Sequence, residues 1–480
     1  SMQINFTLFL SARLSSLSTK ASLYFFLVIF SNYIVGKIEH EINNPFVSES
    51  LPNTDYVHII CYGQSLSNGS DSLFISDDLV KGCYTLGTID MPTASLTDLV
   101  LTSGQQHPIV SAVNSLATLA HEYCNNSSFI VGSYGIGGQS IVQLMSAARQ
   151  AEIKTECGYS YDISTGNRYE VFLNSLSCGK QIADKENRTI SCPAIVFLQG
   201  ERDYYTDESL SNREGHTINA YACGGDKEKY KLYMTRLKED MQNAVMEEYG
   251  QADKPLFCIY QVSGTYIKNH EMTINMAQIE FAKENEDVIL LPAPYFVPNY
   301  NSGHLSTNGY RWYGEYIAKA IFQTLVLDSE FKPLMKDNCI IDGYKIRVKV
   351  CNAILPLSID TYTVEQSKDY GFAVWADSTE VVIDNIELFG DEIIITTLTD
   401  LENSSSVEIS YAGMERGGTG NIRDNSADKA LYEYWNDTAD KGTSGNLTIS
   451  HRPTDENGTL IVGKKYPMWN WLASFYEKLK

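Results

Sequence analysis

The chain has 480 residues, 43% of them hydrophobic, which predicts a globular protein with room for two domains. Its formal net charge of −22 argues against nucleic acid or an anionic membrane surface as a partner, because binding phosphate requires clustered lysine and arginine. The ten cysteines form no Cys-x-x-Cys pair, and no phosphate loop, dinucleotide fingerprint or metal-ligand cluster occurs, so we expect neither a metal ion nor a cofactor.

The first predicted element is an N-terminal segment, residues 1–50, that contains the apolar run Leu23–Val35. Arg13 and Lys20 precede this run and no acidic residue occurs before Glu39, a pattern typical of a signal peptide or a short anchor. The alternative is a docking arm that folds against the body, against a second copy in a homo-oligomer or against a virion partner. We therefore expect the protein to be secreted, periplasmic or virion-associated.

The next predicted element is a buried strand, Val57–Cys61, that ends in the turn YGQSLSNG, Tyr62–Gly69. Ser65 lies on this turn. A serine hydroxyl is a poor nucleophile until a base removes its proton and hydrogen-bond donors stabilise the oxyanion. A serine at the carboxyl end of a parallel strand can satisfy both needs, because neighbouring strands bring their loops to the same edge of the sheet.

Three further segments place glycine beside polar side chains at strand ends or before a helix. Two of them follow short apolar runs, and the third directly precedes a helical pattern. Together with the serine turn they supply backbone N–H donors, carboxylates and a histidine. The segments read GSYGIGGQS (Gly132–Ser140), QGERD (Gln199–Asp203) and NSGHLSTNGYRWYG (Asn301–Gly314).

Helices are predicted between these strands. Apolar residues recur at helical spacing over Ile141–Arg149 and again over Tyr230–Ala244, while Leu256–Val262 and Val288–Leu291 are short apolar runs typical of strands. Strands that alternate with helices indicate a parallel sheet that is covered on both faces. We therefore predict a three-layer α/β domain over residues 51–330.

After residue 330 the hydrophobic period changes to two. Tyr344, Ile346 and Val348 alternate with charged residues, and several similar runs follow between turn residues. This pattern predicts a smaller antiparallel β domain over residues 331–415. The remaining segment, residues 416–480, ends in aromatic residues, and we predict that it packs back on the body.

The order of the four polar segments resembles the SGNH hydrolase superfamily. More narrowly it is similar to the sialate O-acetylesterase-type carbohydrate esterases, whose blocks read G-Q-S-N, G-G-x-S, Q-G-E-x-D and D-x-x-H. The resemblance covers roughly Tyr56 to Leu325, and its close matches are Gly63-Gln64-Ser65 and Gln199-Gly200-Glu201 with Asp203. It implies the SGNH hydrolase fold and a serine esterase that removes O-acetyl groups from a carbohydrate or glycan.

The resemblance also implies roles for individual residues. Ser65 matches the nucleophile and His304 the general base. The oxyanion would be held by the backbone N–H of Ser65, by a backbone N–H at Gly137 or Gly138, and by the Gln199 side chain. An acetyl group is expected in preference to a longer acyl chain, because no long apolar lid is evident.

The chain departs from the family at the triad acid, whose position is occupied by Asn301. Asparagine can orient the imidazole ring, but it brings no charge to stabilise imidazolium. Either Glu201, Asp203 or a backbone carbonyl takes the role of the acid, or activity is weak. Glu201 and Asp203 are otherwise expected either to order the loops around the site or to contact substrate.

Two alternatives stay open from the sequence. Leu66 and Ser67 separate Ser65 from Asn68, which makes Ser67 a rival for the nucleophile. A weakened triad would also suit a non-enzymatic protein on the same fold, either a glycan-binding protein or a structural protein of a phage virion such as its tail.

Overall fold

The computed structural model describes residues 51, 53–100, 104–123, 126–157, 168–205 and 223–480. The N-terminal segment on which the signal, anchor and docking-arm interpretations depend lies outside the described residues. No helix in the described part of the chain combines the length and the apolar character that crossing a bilayer requires.

A seven-stranded sheet forms the centre of the structure, in the order β3-β2-β4-β1-β5-β6-β7. All pairs are parallel except β2 with β3 at one edge, which is antiparallel. The central strands are apolar on both faces because helices or further layers cover both of them. The bounds are β1 Tyr56–Gly63, β2 Cys83–Leu86, β3 Leu96–Asp98, β4 Ser128–Ser133, β5 Ile190–Leu198, β6 Leu256–Ile259 and β7 Val288–Leu290.

Two hydrophobic cores lie on opposite faces of this sheet. Val57 and Ile59 of β1 belong to one core, and Tyr56 and Ile60 belong to the other, as the alternation of side chains along a strand requires. The first core contains α1 and α6, and the second contains α3, α4 and α5. The helices are α1 Pro108–Glu122, α2 Ala147–Cys157, α3 Arg168–Glu186, α4 Lys227–Tyr249, α5 Thr273–Glu284 and α6 Thr307–Leu325.

The helix predicted over residues 141–149 is divided in the structure. A short 3₁₀ turn, Val142–Leu144, ends at Met145, whose backbone is extended. The Ser146 hydroxyl then accepts a hydrogen bond from the backbone N–H of Arg149 at 3.2 Å and begins α2. Of the apolar side chains that set the helical spacing, Ile141, Leu144 and Met145 are buried but Ala148 is exposed. The spacing does not reveal the cap at which a new helix begins.

The C-terminal half contains several antiparallel sheets, as the period of two predicts. Two of them have four strands each, in the orders β13-β14-β9-β8 and β12-β11-β15-β19. The predicted boundaries at residues 330 and 415 stay predictions. The strands are β8 Met335–Asp342, β9 Lys345–Cys351, β10 Ser358–Ile359, β11 Phe372–Ala376, β12 Thr379–Glu380, β13 Ile383–Phe389, β14 Glu392–Thr397, β15 Val407–Tyr411, β16 Ile422–Arg423, β17 Lys429–Glu433, β18 Lys465–Pro467 and β19 Phe475–Lys478.

The aromatic residues near the C-terminus contact the helical body. Tyr466 stacks on Trp312 of α6 with ring centroids 5.2 Å apart, and Trp471 stacks on Phe296 at 5.4 Å. All four rings are buried. The final strand, β19, pairs with β15, so the end of the chain also completes a sheet. These contacts bring the C-terminal segment close to the loops that precede α6.

Candidate active site

The turn after β1 holds Ser65 at the carboxyl edge of the sheet. Gly63 has a φ of +137° there, and a Cβ at this position would lie 2.1 Å from the carbonyl oxygen of Leu198, so only glycine fits. The N–H of Gln64 donates to that same carbonyl at 3.0 Å, which ties the turn to β5. Ser65 is 8% exposed. Among the described residues its hydroxyl has no hydrogen-bond partner, so its oxygen is free to react.

Ser67, the rival nucleophile, has a different environment. Its hydroxyl donates to the carbonyl of Gln64 at 2.6 Å, and its own carbonyl accepts from the Ser133 hydroxyl at 2.9 Å. The side chain is completely buried. Ser67 therefore closes the turn, and its hydroxyl is neither free nor accessible to a substrate.

The Gly137-Gly138 segment lies against Ser65. A Cβ at Gly137 would lie 3.7 Å from the Cβ of Ser65, and the space where Gly138 would carry a side chain is open. Within the described residues, the backbone N–H groups of Ser65 and Gly138 make no hydrogen bond. Two free N–H groups beside a serine hydroxyl suit an oxyanion hole.

The sequence predicts that the side chain of Gln199 donates to the oxyanion, but in the structure this side chain makes hydrogen bonds to other residues. Its Nε2 donates to the carbonyl of Gln139 at 3.2 Å and to Asp203 Oδ2 at 2.5 Å, and its Oε1 accepts from the Tyr230 hydroxyl at 2.9 Å. Both amide hydrogens are used, and the residue is buried. The structure gives Gln199 a bridging role between the segment after β4 and the segment after β5.

Asp203 is also a structural residue in this arrangement. Its carboxylate accepts hydrogen bonds from the backbone N–H of Ile141 at 2.9 Å and of Cys223 at 3.0 Å. Burial raises its pKa, although the hydrogen bonds from Gln199 and from Ile141 oppose that shift. With no exposed oxygen, Asp203 has no route to substrate, and it does not contact His304.

Glu201 is buried beside Tyr260. The Tyr260 hydroxyl donates to Oε1, while Oε2 has no hydrogen-bond partner within the described part of the chain. Burial raises the pKa of this carboxyl to about 7, against the opposing effect of the hydrogen bond from Tyr260. Glu201 is thus expected to be largely protonated below neutral pH, and among the described residues no hydrogen bond joins it to His304.

Replacing Glu201 by glutamine should change how stability depends on pH. A folded pKa of about 7, above the ordinary value of 4.5, means that the folded state holds the proton more tightly than the unfolded chain. Stability therefore falls as pH rises between these two values, by an amount on the order of 3 kcal/mol. Since glutamine cannot ionise, Glu201→Gln should be more stable than wild type at pH 8 and similar at pH 4.5.

Urea unfolding of both proteins at the two pH values measures this difference. Glu239→Gln is the matched control, because Glu239 is exposed on α4. An identical pH dependence in wild type and Glu201→Gln would contradict the assignment of a raised pKa.

His304 is paired with a residue that the sequence analysis did not single out. Its Nδ1 lies 2.8 Å from Asp71 Oδ2, and the Ser302 hydroxyl donates to the same oxygen at 2.8 Å. The ring is 21% exposed, and its Nε2 makes no hydrogen bond among the described residues. Tyr266 flanks the ring, with centroids 6.3 Å apart. A histidine held at Nδ1 by a carboxylate and open at Nε2 is arranged as a general base.

Asp71 remains ionised in this setting. Burial opposes ionisation, but the hydrogen bonds from His304 and Ser302 outweigh it, so the pKa of Asp71 is lowered from its ordinary value. The residue occupies the left-handed region of backbone conformation, with a φ of +73°. Aspartate tolerates this conformation better than most residues, which fits its place in the loop that follows Ser65.

Asn301 does not contact the histidine through its side chain amide. Its Oδ1 accepts a hydrogen bond from the backbone N–H of Thr448 at 3.2 Å, and its own N–H donates to the carbonyl of Thr448 at 2.9 Å. The position that matches the family's acid is therefore used for pairing with the C-terminal segment. The carboxylate beside His304 comes instead from Asp71, in the loop that follows Ser65.

Hydrogen bonds join the loop that carries Ser65 to the helix that follows His304. The backbone N–H of Leu73 donates to the Thr307 hydroxyl at 3.1 Å, and the Tyr310 hydroxyl donates to the carbonyl of Ser70 at 3.1 Å. Together with the contact between Asp71 and His304, these bonds bring the two loops to the same edge of the sheet. A hydrogen bond between the Ser65 hydroxyl and His304 is not present among the described residues, and close approach of these two groups stays a prediction.

Within the described residues, no group of three or more histidine, cysteine, aspartate or glutamate side chains could hold a metal ion. The cysteines of the described part are all free thiols.

Comparison with known proteins gives remote structural likenesses. No family model and no curated protein matches this sequence. Among solved structures, the chain is similar to a carbohydrate acetylesterase from Xanthomonas citri, with a TM-score of 0.48 and 14% identity over 76% of this chain and 77% of that one. It is also similar to Est24, a carbohydrate acetylesterase from Sinorhizobium meliloti, with a TM-score of 0.32 and 10% identity over 56% and 99% of the two chains. The native aryl esterase of M. smegmatis gives a TM-score of 0.30 and 12% identity over 56% and 99%. At these values the function has to be inferred from the geometry of the site itself.

Proposed function

We propose that this chain is a serine esterase of the SGNH hydrolase type that removes O-acetyl groups from a carbohydrate. The observation that carries the proposal is the hydrogen-bonded pair of His304 and Asp71. Asp71 lies on the same loop as Ser65. Within the described residues, the Ser65 hydroxyl and the backbone N–H groups of Ser65 and of Gly138, on the segment after β4, make no hydrogen bond. These are the groups that acyl transfer by a serine nucleophile requires.

The first half of the reaction forms an acetyl-enzyme. The Ser65 oxygen attacks the acetyl carbonyl carbon while His304 Nε2 takes the hydroxyl proton, and the carbonyl oxygen becomes an oxyanion. The N–H groups of Ser65 and Gly138 stabilise that oxyanion. Asp71 keeps the Nδ1–H proton in place and stabilises the imidazolium. When the tetrahedral intermediate collapses, the bond to the sugar oxygen breaks, and His304 returns the proton to that oxygen.

The second half releases acetate. A water molecule takes the place of the sugar, His304 removes one of its protons, and the hydroxide attacks the acetyl carbon bound to Ser65. The new tetrahedral intermediate breaks the bond to Ser65, which regains its proton from His304. Acetic acid leaves and ionises to acetate in water, and the enzyme returns to its starting state.

The class of substrate follows from the resemblance of the four sequence segments to carbohydrate esterases. Acetyl is preferred to longer acyl groups because no long apolar lid is evident in the sequence. The competing interpretation, a non-enzymatic glycan-binding or virion structural protein, depended on a missing triad acid. The carboxylate of Asp71, 2.8 Å from His304, removes that reason for preferring it.

The test of the proposal is a pair of hydrolysis assays on the purified protein. Hydrolysis of p-nitrophenyl acetate should be measurable and should exceed that of p-nitrophenyl octanoate, because the sequence shows no long apolar lid to bind the longer acyl chain. Acetate release should then be screened across acetylated xylan, mannan and sialic acid. A folded protein that hydrolyses none of these esters would contradict the proposal and favour the non-enzymatic alternative.

A further inference from the structure

One segment from the C-terminal part of the chain contacts Asp71 and the loop that leads to His304. We call this segment, residues 437–450, the C-terminal strap. The strap pairs with the loop that leads to His304. Thr448 exchanges two hydrogen bonds with Asn301, and the N–H of Ser450 donates to the carbonyl of Asn299 at 2.8 Å. The strap thus extends the backbone of the histidine loop by a short antiparallel pairing.

The strap also holds Asp71 from its other side. The N–H of Thr443 donates to the Asp71 carbonyl at 2.8 Å. Gly442 makes this approach possible, because a Cβ at that position would lie 2.6 Å from the same carbonyl oxygen. Asp71 has a left-handed backbone conformation, which persists in a non-glycine residue only when the surroundings hold it. The contacts of Thr443 and Gly442 provide that support.

A buried carboxylate fixes the strap to the site. Asp440 is 1% exposed, and both of its carboxylate oxygens lie 2.8 Å from the Tyr300 hydroxyl. One of them also accepts from the N–H of Gly442 at 3.0 Å. The Tyr300 oxygen lies 2.9 Å from the Thr307 hydroxyl, which accepts a hydrogen bond from Leu73. A continuous hydrogen-bond chain therefore runs from the strap through the histidine loop to the loop of Ser65.

We infer that the strap positions the catalytic pair, and that Asp440 and Tyr300 are positioning residues for the contact between Asp71 and His304. This inference depends on the proposed function for its effect on turnover, but the geometry it concerns can be measured separately. Asp440 does not contact the site of reaction, so its loss should misplace Asp71 and His304 without removing any group that touches substrate. A misplacement of about 1 Å in a catalytic group can cost up to about 100-fold in rate.

The test compares Asp440→Ala with Asp440→Asn in the complete 480-residue chain. Asp440→Ala should lower kcat by about 10-fold to 100-fold and change KM by less than about 2-fold, because positioning acts on the transition state more than on binding. Asp440→Asn keeps an oxygen that accepts from Tyr300 and should recover most of the lost rate. Glu456→Ala, on the exposed surface of the same C-terminal segment, is the matched control and should match wild type.

A spectroscopic measurement separates this inference from the proposed function. The proton on His304 Nδ1 should give a downfield resonance in protein labelled with ¹⁵N-histidine, assigned by its loss in His304→Gln. Asp440→Ala should broaden or shift that resonance, whereas Glu456→Ala should not. If the protein proves inactive on every ester, this resonance still tests the strap.

A folded Asp440→Ala protein with wild-type kcat and an unchanged resonance would overturn the inference. If Asp440→Ala does not fold, Tyr300→Phe provides the same test, since it removes only the hydroxyl that Asp440 binds. Tyr300→Phe should then reproduce the loss in kcat and the altered resonance, and an unchanged Tyr300→Phe would equally overturn the inference.

Discussion

Replacing Ser65 by alanine is expected to abolish ester hydrolysis, with a fall in kcat/KM on the order of 10⁵-fold to 10⁶-fold. The substitution removes the only protein atom that forms a bond to the acetyl carbon. It should leave folding intact, because the Ser65 hydroxyl makes no hydrogen bond among the described residues. The measurement is hydrolysis of p-nitrophenyl acetate, together with thermal unfolding to show that the variant is folded.

Ser67→Ala is the matched control for this prediction. It removes a buried hydrogen bond from the Ser67 hydroxyl to the carbonyl of Gln64, so it should cost about 1 kcal/mol of stability and leave catalysis largely intact. The reverse outcome, in which Ser67→Ala is inactive and Ser65→Ala retains near wild-type activity, would transfer the role of nucleophile to Ser67.

The second large effect is expected at Asp71. Asp71→Asn should lower kcat by about 10⁴-fold, because an amide in place of the carboxylate neither stabilises imidazolium nor fixes the proton on Nδ1. The amide would instead present a donor to Nδ1 and favour the tautomer with its proton on Nε2, which cannot accept the proton of Ser65. Steady-state kinetics on p-nitrophenyl acetate measure this loss.

Two further variants test whether a loss of activity in Asp71→Asn is due to the position of that carboxylate. Asp77→Asn changes an exposed aspartate of the same loop and should leave the rate unchanged. Asn301→Asp introduces the acid expected from the family pattern, but at a side chain that faces Thr448, so it should not raise turnover. A large gain in Asn301→Asp, or a wild-type rate in Asp71→Asn, would contradict the assignment of Asp71 as the acid.

Much of the scaffold around the site could be predicted from the sequence. The strand before Ser65 is a run of apolar residues, and the Gly137-Gly138 segment lies next to the serine in the structure. These features could be anticipated because each depends on local chemistry: an apolar run that ends in glycine predicts a strand followed by a turn. The parallel sheet and the change to antiparallel strands after residue 330 follow from the same kind of pattern.

The acid could not be predicted in the same way. Asp71 and His304 are 233 positions apart, and no spacing rule connects them. The family pattern directed attention to Asn301, three residues before the histidine, and away from the loop of Ser65. A retrospective signal exists in the stretch Ser70-Asp71-Ser72, because aspartate between small polar residues favours a left-handed turn. That signal is too common among loops to have selected Asp71 in advance.

The hydrogen-bond partners of Gln199 could not be predicted from the sequence for a related reason. A glutamine after a strand is a plausible oxyanion donor when only the sequence is known. The structure shows that its amide is shared among Gln139 and Tyr230, which come from two other parts of the chain, and Asp203, which lies four residues further on. Competition for hydrogen bonds of this kind depends on tertiary packing, which no local pattern encodes.

The most direct test of the central claim is covalent trapping of the nucleophile with diethyl p-nitrophenyl phosphate, followed by peptide mass spectrometry. An activated serine displaces p-nitrophenolate and keeps the diethylphosphoryl group. We predict one label per chain, located on Ser65, absent in Ser65→Ala and formed far more slowly in Asp71→Asn. A label on Ser67 or on any other residue, or a folded wild-type protein that takes up none, would contradict the assignment of Ser65, His304 and Asp71 as a working esterase site.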